Sequence, residues 1–284
     1  MVVRELLSMS AKKLKEANIP NPVLDARLII EHVLGQGELF VVKNPSFVVP
    51  EMDITIILEN IEKRVSHMPL SYITNSREFM SLPFYVDENV LIPRPDSECL
   101  VETVLELLKT RAPQKHAILD IGIGSGALAI SVAFYDRCVI ADGIDISPEA
   151  VSVAKKNAEQ NGVLERCEFF VCDILKEELS KKYDVILSNP PYIRPDVIKT
   201  LESDVRDYEP MGALNGGEDG LLFYRTIAKK ANNMLKGDGV IAFEIGYDQK
   251  EEVMDLLYGE GFSEVTCHED LAGNPRVVIA KRTC

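Results

Sequence analysis

The sequence predicts an α/β protein: a doubly wound, mostly parallel sheet ending in an antiparallel strand, preceded by a small helical bundle. Three observations predict it. From His116 onward, strand-like runs alternate with helical stretches, the pattern of successive βαβ units. Two final runs, 263–268 and 276–281, lie close together around Gly273-Asn274-Pro275 and read as an antiparallel pair. Up to about Met68 the apolar spacing is helical.

The elements follow in order. Leu6, Leu7, Met9, Leu14 and Ala17 make one apolar helix face, ended by Asn18-Ile19-Pro20. Asn21-Pro22 offers a cap and a first-turn proline for a helix through Val33, with Gly35 as its stop. A third helix spans residues 51–67. Residues 72–92 change character: two short extended runs flank Ser81-Leu82-Pro83, a hairpin or extended linker. Pro93-Arg94-Pro95-Asp96 stops that stretch, and Ser97-Glu98 opens a helix through Leu107, with Ser97 as a possible cap. Strands at 117–121, 138–144, 168–171, 183–188 and 240–245 then alternate with helices at 127–134, 148–161, 220–235 and 249–258. The expected division is a helical domain over 1–70, a linker over 71–95 and the sheet domain over 96–284.

Bulk properties bound the function. Up to Asn75 there are 8 basic and 9 acidic residues; beyond it, 23 basic stand against 36 acidic, and the whole chain carries −14. Phosphate contacts need Lys and Arg, so bulk nucleic acid is a poor partner. No apolar run approaches the roughly 18 residues of a membrane helix, and the first residues lack a signal-peptide core, so a cytoplasmic, membrane-free protein is expected. The six cysteines make no CxxC and read as reduced, with Cys138, Cys167 and Cys172 expected in apolar strand surroundings. The four histidines are scattered, and no metal is expected.

Between the first strand of the sheet domain and its helix lies Asp120-Ile121-Gly122-Ile123-Gly124-Ser125-Gly126. Its glycines permit a tight turn and close approach of a ligand to the backbone. Asp145, followed by Ile146, ends the second strand, where a carboxylate can accept both hydroxyls of a ribose. Loop and acid alone fit S-adenosylmethionine or a dinucleotide, since Gly122, Gly124 and Ala127 also satisfy GxGxxG/A. Asp120 stands where a cofactor's ammonium and sulfonium would be met. Asp173 is placed either to accept from an adenine amino group, with Ile174 packing on the ring, or to cap a helix.

The most specific feature is Asn189-Pro190-Pro191-Tyr192, after the strand 183–188. Neither proline has an N–H, and each fixes its own φ while forcing the preceding residue towards extended geometry. Such a corner can hold an NH2 group. Asn189 and Pro190 supply carbonyl oxygens, Pro191 stiffens the turn and Tyr192 offers a flat face. The corner is similar to the target-nitrogen motif of methyltransferases that act on amide or exocyclic amino nitrogens.

Further segments narrow the resemblance: Pro69-Leu70-Ser71-Tyr72-Ile73, Arg77-Glu78-Phe79, the run from Val90 through Arg94 to Glu98, Tyr208-Glu209-Pro210, Gly216-Gly217-Glu218-Asp219-Gly220, Phe243-Glu244-Ile245-Gly246 and Gly273-Asn274-Pro275-Arg276. Over nearly its whole length the chain resembles the HemK/PrmC family of protein-(glutamine-N5) methyltransferases. The resemblance implies a Rossmann-like class I methyltransferase domain that uses S-adenosyl-L-methionine and releases S-adenosyl-L-homocysteine. It implies a protein partner, the Gly-Gly-Gln motif of class I peptide-chain release factors, recognised through the N-terminal helical domain. Arg94 and Glu98 are candidate substrate contacts, and Glu244 carries the same ambiguity. An adenine-N6 or guanine-N2 nucleic-acid methyltransferase is the alternative. It predicts a basic, aromatic-rich extra domain, which residues 1–75 do not supply.

Overall fold

The computed structural model describes residues 1–112 and 114–283, so Cys284 lies outside the described residues. The chain forms two compact units: residues 1–76 together with 202–208, and residues 77–201 together with 209–284.

The first unit is helical. Val3–Glu16, Pro22–Val33 and Glu51–Val65 are its long helices, and Phe40–Lys43, Leu70–Thr74 and Ser203–Arg206 are single turns. Leu6, Leu14, Ile29, Ile30, Ile57 and Ile61 are fully buried, the product of the three-to-four-residue apolar spacing. Gly35 ends the second helix with φ 61°, a left-handed conformation that suits glycine. Arg64 is 6% exposed. Its Nε donates to Asp25 Oδ2 and its Nη1 to Asp204 Oδ2, each at 2.8 Å. Tyr208 Oη donates to the Ser66 carbonyl at 2.5 Å. These bonds explain why residues 202–208 cluster with the helical unit although the sequence places them far away.

The second unit opens with a hairpin of β1 (Arg77–Phe79) and β2 (Leu82–Phe84). Phe79, Leu82 and Phe84 lie in the unit's own core. The large sheet contains β3 (His116–Ile121), β4 (Val139–Asp145), β5 (Cys167–Val171), β6 (Tyr183–Ser188), β7 (Leu235–Glu244), β8 (Phe262–Glu269) and β9 (Pro275–Arg282). Its order is β5-β4-β3-β6-β7-β9-β8. The first five strands are parallel, while β9 runs antiparallel to both β7 and β8. The expected α/β fold is therefore present, with its final antiparallel pair.

Alternation along the strands builds a core on each face. Ile118 packs with helices Glu98–Lys109, Ala127–Tyr135 and Pro148–Gln160; Leu119 and Ile121 pack with Leu222–Met234 and Lys250–Gly259. β6 is buried along its whole length, consistent with its continuous apolar run. One expectation fails: Cys138 is exposed, just before β4, whereas Cys172 is buried. Among the described residues no helix is long and apolar enough to cross a membrane.

Candidate active site

The parallel order brings the carboxyl ends of β3 and β6 side by side, at the point where the strand order reverses. A cavity of about 330 Å³ opens there, entirely within the second unit. Its walls include Gly122, Ile123, Gly124, Ser125, Asp145, Ile146, Asp173, Ile174, Asn189, Pro191 and Arg94.

The glycine loop is fixed from below by Gly122 and Ile123, whose N–H groups both donate to the Ile144 carbonyl at 2.9 Å. Gly124 has φ 50°, and a Cβ built there meets nothing within 4 Å. The loop therefore exposes bare backbone on a side with room for a ligand. Gly126 serves packing instead: a Cβ there would lie 2.6 Å from Ile130 Cδ1. Asn157, fully buried, donates to the Ser125 and Tyr85 carbonyls at 2.8 and 2.9 Å and accepts from Tyr85 N–H at 2.7 Å. One helix side chain thus staples the loop to the segment just after the hairpin.

Asp145 bridges the loop and its own strand end. Its Oδ2 accepts from Gly124 N–H and its Oδ1 from Ser147 N–H, both at 3.0 Å. Each oxygen keeps a lone pair for a ligand hydroxyl. Asp173 accepts from Leu175 N–H at 3.0 Å and pairs with Lys176 at 2.9 Å, and the Lys176 ammonium holds its carboxyl below the usual range. Ile174 is buried and Ile146 is 64% exposed, so two branched apolar side chains line this end of the cavity.

Asp120, expected to meet the cofactor, does not line the cavity. It shares the face of β3 that carries Ile118, and the helix Ala127–Tyr135 covers that face. It is 0% exposed; its Oδ2 accepts from Ala129 N–H at 3.1 Å, and its Oδ1 has no hydrogen-bond partner among the described residues. Burial pushes its carboxyl up to about 8. Asp120 therefore ties the helix to the strand as a mostly neutral acid. Glu98, expected near the substrate, is likewise turned elsewhere and accepts from Met80 N–H at 2.7 Å. Arg94 does line the cavity and pairs with the buried Glu209 carboxylate.

At the proline corner, Asn189 and Pro191 face the cavity, while Pro190 is buried and the half-buried Tyr192 packs against the core shared with Tyr224 and Ile245. Burial first, and then the neighbouring Glu244, raise the Tyr192 hydroxyl, so it stays a phenol. The corner is braced by the turn beginning at Gly216. Ile193 N–H donates to Leu214 O at 3.0 Å and Gly216 N–H to Ile193 O at 2.9 Å. A Cβ on Gly216 would lie 2.5 Å from Tyr192 Cα, so only glycine fits. Ser97 was read as a possible cap, but it makes no cap hydrogen bond. Instead its Oγ accepts from Asn189 Nδ2 at 3.2 Å. Sequence reading missed this role, and it missed Phe223 and Ala213 on the cavity wall, two apolar residues with no chemical signature of their own.

Comparison with known proteins follows the same division. The family described as PrmC N-terminal domain matches residues 5–74, and the Methyltransferase small domain family matches residues 97–202. The chain is 40% identical to the release factor glutamine methyltransferase of Clostridium botulinum over 99% of this chain and 100% of that one. It is 39% identical to the Agrobacterium fabrum protein of the same name, over 99% of this chain and 97% of that one. Among solved structures, a methyltransferase from Pyrococcus furiosus aligns with a TM-score of 0.53 at 20% identity. That alignment covers 81% of this chain and 98% of that one, a likeness of fold.

Proposed function

The chain belongs to the release factor glutamine methyltransferase family, and from that premise we infer that it methylates the side-chain amide nitrogen of glutamine in the Gly-Gly-Gln motif of class I release factors. The observation that carries the reading is one cavity walled by both the glycine loop with Asp145 and the proline corner with Asn189.

The cavity suits S-adenosylmethionine. Bare backbone at Gly122 and Gly124 leaves room for its methionine part, Asp145 offers lone pairs to ribose hydroxyls, and Asp173 with Ile146 and Ile174 suits adenine. When bound, the cofactor supplies an activated methyl on a positively charged sulfur. The remaining work is alignment, with reacting atoms about 3–3.5 Å apart. An amide nitrogen is a poor nucleophile because its lone pair is shared with its carbonyl. Acceptors on both its N–H groups, Asn189 Oδ1 and the Pro190 carbonyl, would fix it and favour the positive charge that grows on it. Two acceptors demand an NH2 group, which glutamine supplies on a side chain long enough to reach a recessed corner.

Transfer of labelled methyl from S-adenosylmethionine to equal amounts of release factor, duplex DNA and ribosomal RNA tests the reading. Label is expected in the release factor alone. Label in adenine or guanine would replace this reading with nucleic-acid methylation.

A further inference from the structure

Gln249 directly precedes the helix Lys250–Gly259 and stands outside the cavity wall. Its side chain makes no cap hydrogen bond for that helix. Instead its amide joins three separate segments of the second unit. Its Oε1 accepts from Gly246 N–H at 3.0 Å, just past the end of β7. Its Nε2 donates to the Tyr192 carbonyl at 3.4 Å and to the Gly220 carbonyl at 3.3 Å. The first carbonyl ends the proline corner. The second belongs to the turn beginning at Gly216, which braces that corner.

Only one orientation of this amide satisfies all three segments. A side-chain amide has two N–H donors and one carbonyl, and its ends are nearly identical in shape. Gly246 N–H needs an acceptor, so the oxygen lies there and both donors face the two carbonyls. The main chain holds the residue in this pose: Gln249 N–H donates to the Gly246 carbonyl and Val253 N–H to the Gln249 carbonyl, each at 3.0 Å. Tyr224 Oη, which donates to the Glu244 carbonyl at 2.9 Å, lies 3.5 Å from Gln249 Oε1. The approach is close. On Gly220, at φ 77°, a Cβ would lie 2.5 Å from the Tyr192 carbonyl oxygen and 2.9 Å from Gln249 Nε2. On Gly246 it would lie 2.9 Å from Gln249 Oε1.

We propose that Gln249 is a positioning residue for methyl transfer, its amide pinning the downstream end of the Asn189–Tyr192 corner to the end of β7. The Asn189 and Pro190 oxygens then stay where the acceptor nitrogen must lie. The inference rests on the amide-methylation reading above. Two prolines stiffen the corner, so a shift at Tyr192 carries through to Asn189. The donors are what glutamine contributes. Glutamate has the same length and still meets Gly246 N–H, but it sets an acceptor-only carboxylate against two carbonyls. Methionine keeps the length and loses both functions.

The test uses the full chain with intact release factor and compares Gln249→Met, Gln249→Glu, Asn189→Ala and the double variant Gln249→Met with Asn189→Ala. Calorimetry should find S-adenosylmethionine affinity unchanged in both Gln249 variants. Gln249→Met should lower kcat by about 10-fold or more, since a misplacement of about 1 Å costs about 10²-fold, with KM for release factor kept. Gln249→Glu should lose at least as much. A role confined to the end of β7 would be met by glutamate, so near wild-type turnover of Gln249→Glu would overturn the proposal. In the double variant the loss should be smaller than the product of the two separate losses, because both act through one corner. If Gln249→Glu folds poorly, Gln249→Met carries the test without an added charge. Near wild-type turnover of Gln249→Met, equal losses of turnover and cofactor affinity, or losses that multiply in the double variant would also overturn it. A wild-type enzyme that labels no release factor would instead mean that the functional reading has failed.

Discussion

Asp120 and Asp145 show how two acids in similar sequence settings part company. Both stand at carboxyl ends of parallel strands, but strand alternation turns Asp120 beneath the helix Ala127–Tyr135 and leaves Asp145 on the cavity wall. Calorimetry should find Asp145→Ala weakened for S-adenosylmethionine by about 1–3 kcal/mol, the value of lost acceptors, and Asp120→Asn unchanged. Asp120 should instead appear in stability. Its folded carboxyl is raised to about 8, so the folded chain keeps a proton that the unfolded chain gives up near pH 4. The associated stability is present below the unfolded pKa and is lost as pH rises through 8. Denaturant midpoints at pH 5 and pH 9 should therefore differ less in Asp120→Asn than in the wild type. Equal differences would contradict the burial argument. At the chemistry itself, Asn189→Ala should lower turnover by about 10²–10³-fold with cofactor affinity kept; single-turnover kinetics measure this, and a near wild-type rate would remove the clamp. The glycine loop, Asp145 and Asn189 were legible because each is a local signature. Ser97 was not, because its meaning lies in a contact with Asn189, 92 residues away.

Elements hold these side chains in place, and period made most of them readable. The run Tyr183–Ser188 occupies the very residues expected of it, and the expected order of alternating strands and helices is present. The turns Pro195–Ile198, Ser203–Arg206 and Met211–Leu214 were missed, since four residues are too few for helical periodicity to show. β7 begins at Leu235 rather than near 240, pairing with Tyr183 across an irregularity in register. The turn behind the proline corner matters most. Gly216→Ala should push Tyr192 and its neighbours out of place, lowering kcat by about 10²-fold if the corner moves by roughly 1 Å. Cofactor affinity should persist; unchanged turnover would show that the corner does not depend on this close approach. In the helical unit, Arg64→Ala strands two carboxylates. It should destabilise that unit by about 3 kcal/mol, the low end for a broken buried pair because Asp204 is 28% exposed. Hydrogen exchange should then quicken at Val205, Arg206 and Asp207, whose amides close the turn at Ser203–Arg206.

At the scale of the whole molecule, charge and fold set what the chemistry can act upon. The acidic surplus lies beyond residue 75, in the stretch that carries the cavity, so phosphate-rich partners gain little there. What distinguishes the acceptor is therefore the geometry of one amide and not a general affinity. Mass spectrometric mapping of the methyl group on intact release factor tests this most directly, using the wild-type Gly-Gly-Gln motif and versions carrying Glu or Asn in place of Gln. Glu presents a carboxylate to two acceptors, and Asn keeps the NH2 but shortens the reach by one methylene. The account predicts methyl on the side-chain nitrogen of Gln and almost none on Glu or Asn. Methyl found on another residue, or transferred equally well to the Glu version, would contradict it.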